Sequence, residues 1–143
     1  WLTEFDLFTS YLFLPVKVST VIKSKLNSFA IINLISLIIL TVATYQMNQQ
    51  ANFMPALITF LSVSTFTVSV TIYLAGLHPN VLLYNARIFF QFMLSIAPVL
   101  LALIFLSAFN PLYLLASPVL ILISIYILNQ SYKKWDNWEQ PSY

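Results

Sequence analysis

IFFQFMLSIAPVLLALIFLSAFNPLYLLASPVLILISIYILNQSY, residues 88–132, contains no Asp, Glu, Lys or Arg, and neither does the stretch 27–86 before it. A small soluble domain does not leave so much chain uncharged, since roughly a quarter of its residues carry charge. Lipid imposes this pattern, because a charged side chain at the bilayer centre costs about 2.5–3.5 kcal/mol on insertion scales. The basic residues fall outside the two tracts: Lys17, Lys23 and Lys25, then Arg87, then Lys133 and Lys134. Of 143 residues, 60% are hydrophobic and 7% charged, which leaves room for one integral membrane domain and no separate soluble one.

A helix of about 20 apolar residues crosses a hydrocarbon core of ~30 Å. Four stretches have that length: 28–45, 55–74, 88–108, and one that opens at Asn110 and ends near Leu128. Their apolar runs are continuous rather than alternating. The fold class is therefore all-α, a polytopic membrane helical bundle of four transmembrane helices, and not a β-barrel. Pro55 suits the first turn of the second helix, and Asn110 with Pro111 forms a cap and first helical position for the fourth. The second ends at Gly76, the only glycine, followed by Leu77, His78, Pro79 and Asn80. Residues 1–143 thus form a single domain: a cytoplasmic or interfacial segment (1–26), the four-helix bundle (27–131) and a cytoplasmic tail (132–143).

Short connections make successive helices antiparallel, and the positive-inside rule sets their direction. Lys17, Lys23 and Lys25 precede the first span, Arg87 follows the second, and Lys133 and Lys134 follow the fourth. Every basic residue then falls on the cytoplasmic side, with the uncharged loop around Gln49 and the turn at 109–111 outside. Both ends are predicted to be cytoplasmic. Glu4 and Asp6 occupy the opening residues without a basic neighbour, so no signal peptide is read at Trp1, and the reading frame is expected to extend upstream.

Inside the spans, Pro98 and Pro118 are expected to kink the third and fourth helices and free a carbonyl in each. Packing geometry and a gating hinge both account for them, and Gly76 is a third candidate hinge. The second helix carries Thr59, Ser62, Ser64, Thr65, Thr67, Ser69 and Thr71. Small hydroxyl residues of this kind either let helices pack closely or line a polar pathway.

Catalytic chemistry is not found. One glycine cannot build a phosphate-binding loop, one histidine (His78) cannot make a multi-histidine metal or haem site, and there is no cysteine. No ionisable residue lies within a span, which weighs against transport driven by buried carboxylates. The net charge of +2 is too small and dispersed for nucleic acid. We therefore expect a non-enzyme without cofactor or metal, whose first partner is the lipid bilayer. The tail Tyr132-Lys133-Lys134-Trp135-Asp136-Asn137-Trp138 reads as an interfacial anchor or a docking surface.

Ahead of the first span runs Leu14-Pro15-Val16-Lys17-Val18-Ser19-Thr20-Val21-Ile22-Lys23-Ser24-Lys25-Leu26. Pro15 breaks the apolar run, and Val18, Val21 and Ile22 fall on one side of a short basic amphipathic helix. Such a helix lies on the cytoplasmic leaflet or presents itself to a partner.

In the order Glu4, Leu14-Pro15-Val16, Lys23-Ser24-Lys25-Leu26, then four spans and a basic end, the chain resembles the permease subunits of ATP-binding-cassette transporters of the second exporter type. The turn at Gly76-Leu77-His78-Pro79-Asn80 is similar to a cytoplasmic loop of some archaeal and bacterial members. The resemblance covers the whole chain, as the C-terminal two-thirds of a six-span permease. It implies a prokaryotic cell membrane, no ATP bound by the chain itself, a second permease half and a separate ATP-binding subunit. It also implies that Leu14, Pro15, Val16, Lys17, Val18, Val21, Ile22, Lys23 and Lys25 couple the two. The other reading of the same chain is a structural or accessory subunit of a larger membrane complex.

Overall fold

The computed structural model describes residues 18–48, 50–76 and 84–136. Its elements are α1 (Val18–Gln46), a 3₁₀ turn (Gln50–Asn52), α2 (Phe53–Ala75), α3 (Ala86–Phe109), a second 3₁₀ segment (Pro111–Ala116) and α4 (Val119–Asp136). No strand occurs among the described residues. Four helical spans are long and apolar enough to cross a membrane, the last formed by the second 3₁₀ segment together with α4. The uncharged tracts thus become a four-span helical membrane protein.

Two elements differ from the sequence expectation. The basic amphipathic segment is not a separate helix from residue 18 onward, because α1 runs unbroken from Val18 through the apolar stretch. No glycine or proline interrupts residues 18–46, and Pro15, the one breaker nearby, lies before them. The fourth helix does not run through Pro118. The pyrrolidine ring clashes with the carbonyl four residues back and has no N–H to offer. The chain therefore winds as a 3₁₀ segment, with Ser117 N–H donating to Leu114 O at 3.0 Å. The α-helical pattern starts after it: Pro118 O still accepts a 3₁₀-type bond from Ile121 N–H at 2.9 Å and also the first α-type bond, from Leu122 N–H at 3.4 Å. Pro118 starts a helix rather than kinking one. α4 then continues past Leu128 to Asp136, with Lys133 and Lys134 in its last turn, where the helix dipole favours cations. Pro98 does lie inside α3.

At the centre is α2, whose most extensive contact is with α4. Ser62 and Ser69 on α2 are buried, and so are Ser117, Ser124 and Ser131 on the α4 side. Seven-residue spacing keeps each set on one helix face, and small side chains there let two backbones approach closely. Ser117 Oγ bonds across to Thr59 Oγ1 on α2, and the other four hydroxyls are satisfied within their own helices. Ser62 Oγ donates to Ile58 O at 2.7 Å, Ser69 to Thr65 O at 2.7 Å, Ser124 to Leu120 O at 2.6 Å and Ser131 to Ile127 O at 2.8 Å. On one flank of this pair, Ile22 of α1 packs with Val68 and Ile72. On the other, Ile96 of α3 packs with Phe66 and Val70.

These contacts fix the directions. Ile22 near the start of α1 meets Ile72 near the end of α2, and Trp135 near the end of α4 meets the same Ile72. At the opposite end, Thr59 near the start of α2 meets Leu114 and Ser117, which follow the end of α3. The helices alternate, and Lys23, Lys25, Arg87, Lys133 and Lys134 gather at one end of the bundle. Outward-facing Ile31, Ile35 and Ile38 on α1 and Leu94, Leu101 and Ile104 on α3 are each more than half exposed. An apolar surface of that extent suits a bilayer.

Candidate functional site

The basic end is built around the last turn of α2. Gly76 stops that helix with φ +60° and ψ −124°, and its N–H donates to Ile72 O at 2.8 Å. The same carbonyl accepts Trp135 Nε1–H from α4 at 2.9 Å. Lys134 Nζ donates to Tyr73 O at 2.8 Å and sits 4.7 Å from the centre of the Tyr73 ring and 4.8 Å from that of Trp135. The last carbonyls of a helix carry partial negative charge and each has two lone pairs, so an indole N–H on Ile72 O, beside the Gly76 N–H, and an ammonium on Tyr73 O are suitable caps. The aromatic faces hold the ammonium further through cation–π attraction. A Cβ on Gly76 would meet Trp135 ring atoms at 2.8 Å, so the indole packs where only glycine leaves space.

The start of α1 is part of the same assembly. Ile22 is fully buried among Val68, Ile72 and the half-buried Leu26, Phe29, Leu128, Tyr132 and Trp135. Lys23 Nζ lies 5.7 Å from the centre of the Tyr132 ring. Of the residues the resemblance assigns to coupling, Ile22 therefore faces inward, Val21 and Lys25 are half-buried and Lys23 is exposed. The reason is the continuity of α1: Ile22, Leu26 and Phe29 at i, i+4 and i+7 form one stripe seated where α2 meets α4. Leu14, Pro15, Val16 and Lys17 lie outside the described residues, as do Gln49, His78 and Trp138 and the side chain of Val18. Among the hinge candidates, Gly76 belongs to this assembly. Pro98 lies mid-α3 and Pro118 at the start of α4, both exposed and away from it.

Beside the assembly, α2 and α4, with Ser95 of α3, line a side-open cavity of about 590 Å³. Phe66, Val70, Leu74, Ile123 and Ile127 give it apolar walls, while Tyr73, Ser95, Tyr126 and Gln130 contribute polar groups. A second, more apolar cavity of about 330 Å³ lies between α1, α2 and α4 and includes Asn33, Ser64 and Thr65. Among the described residues no group of three His, Cys, Asp or Glu could hold a metal ion. Sequence reasoning passed over Tyr73, Tyr126, Gln130 and Lys134 as site residues. The available signal was the spacing 123, 126, 127 and 130, which sets one apolar and polar stripe on a single face of α4.

Compared with known proteins, the chain matches no protein-family model, no curated protein and no solved structure. The fold and the end assembly define its class as a multi-pass α-helical membrane protein.

Proposed function

We propose that this chain is the membrane-spanning permease component of an ATP-driven exporter. Its basic end lies in the cytoplasm, where a separate ATP-binding subunit drives it, and a second permease half completes the pathway. The supporting observation is the interlock at that end. Ile22 of α1 is buried on Ile72, the Ile72 carbonyl is held by Trp135 of α4, and Gly76 closes against the same indole. Packed interiors transmit displacement rather than absorb it. A push on the first turns of α1 therefore reaches α2 and α4 directly, and α3 through α2. The exposed side of those first turns, with Lys23 and Ser24, is the surface for the partner, and the lysines steer its approach.

The burial of Ile22 decides how to test this. A charge there would break the bundle itself, so the informative positions are the exposed ones. A photo-crosslinking residue at Lys23 or Ser24, in the full chain in its own cells, is expected to capture a soluble ATP-binding subunit. Capture of lipid or membrane-spanning chains alone would overturn the permease reading and favour an accessory subunit of a larger complex.

A further inference from the structure

We infer that the cavity between α2, α3 and α4 binds one anionic membrane phospholipid, with an acyl chain among Phe66, Val70 and Ile127 and the headgroup toward Tyr73 and Gln130. This goes beyond the exporter reading and does not depend on it.

The cavity runs along the bundle axis and reaches the basic end. Its lining on α4 extends from Ile123 to Gln130, about 10 Å at 1.5 Å per residue. Phe66, Val70, Ile123 and Ile127 lie toward the bundle centre, with Ser95 and Tyr126 among them, and Tyr73, Leu74 and Gln130 lie toward the basic end. A volume of about 590 Å³ falls within the usual range for ligand sites, and an apolar body with a few placed polar groups is their usual composition. Among the described residues, the Tyr73 hydroxyl and the Gln130 amide make no hydrogen bond, so both are available to a headgroup.

Charge selects the sign of that headgroup. The Lys134 ammonium rests on the Tyr73 ring that lines the cavity, 4.7 Å from its centre. An ammonium has three donors, and the Tyr73 carbonyl takes one of them. Basic pockets between membrane helices bind anionic headgroups for this reason. Access is from the side: Ile123 and Tyr126 line the cavity and are also exposed on the outer surface of α4, so a chain enters from the bilayer without passing through water.

The test uses the full chain purified in detergent micelles containing phosphatidylglycerol or phosphatidylcholine, with retained lipid read by native mass spectrometry. One phosphatidylglycerol per chain is expected, retained at least ~10-fold better than phosphatidylcholine, the ratio that corresponds to one charge-assisted hydrogen bond. Inorganic phosphate in excess is expected not to displace it. Ser95→Phe, which fills the cavity, and Gln130→Leu, which removes a headgroup contact, are each expected to lower retention about tenfold. Gln130→Leu keeps a good helix former at a half-buried position, so it remains informative if the bulkier variant fails to fold. Lys134→Gln is expected to remove the preference for phosphatidylglycerol. Equal retention of both lipids, retention unchanged in Gln130→Leu, or displacement by phosphate alone would each overturn the inference.

Discussion

Gly76 and Trp135 make the sharpest case at the scale of single residues. The glycine adopts φ +60°, and a Cβ there would also strike the indole at 2.8 Å. Gly76→Ala is therefore expected to lower the apparent Tm in detergent, by a loss of about 1–3 kcal/mol. Trp135→Phe keeps an aromatic ring against Gly76 but removes the N–H that caps Ile72 O, a smaller loss of about 1 kcal/mol. Because the steric part of the Gly76→Ala effect needs the indole, adding Trp135→Ala is expected to recover part of it. A thermal-melt double-mutant cycle reads that non-additivity. The stop at Gly76 was legible, since the only glycine followed an apolar run. Its contact with Trp135 was not, because it joins residues far apart in sequence and requires α4 to continue beyond Leu128.

At the scale of elements, the pairing of α2 with α4 depends on buried serines. Ser124 is buried in that seam with its hydroxyl bonded to Leu120 O. Ser124→Leu is expected to destabilise by about 1–3 kcal/mol through overpacking. Ser124→Ala keeps the small volume and is expected to cost less than about 1 kcal/mol. Thr59 Oγ1 and Ser117 Oγ lie 3.4 Å apart. Thr59→Cys with Ser117→Cys, in a chain without native cysteine, is expected to cross-link under mild oxidation, checked by mobility on a gel. Failure to cross-link would contradict the parallel pairing. The hydroxyls of the second helix were visible in sequence, but the seam emerges only when Ser117, Ser124 and Ser131 are set against them across the interface. Pro118 was misplaced because Ser117-Pro118 repeats the polar-then-proline start of Asn110-Pro111. The chain uses the first start for a 3₁₀ segment and the second for the α-helix.

For the molecule as a whole, the distribution of charge is the organising fact. The uncharged tracts made the four spans legible, since every stretch long enough to cross lipid had to lack ionised groups. Alternation of the helices then sends Lys23, Lys25, Arg87, Lys133 and Lys134 to one end, and Gln46, Gln50, Asn52 and Asn110 to the other. The interlock at the basic end and the cavity beside it were not legible, because both depend on which helix faces meet. The exporter reading needs the basic end in the cytoplasm. The most direct measurement is labelling by a membrane-impermeant thiol reagent in intact cells, using single Gln50→Cys and Lys133→Cys chains. Gln50→Cys is expected to label at once and Lys133→Cys only after permeabilisation. Labelling of Lys133→Cys in intact cells with Gln50→Cys protected, or of both positions alike, would contradict it.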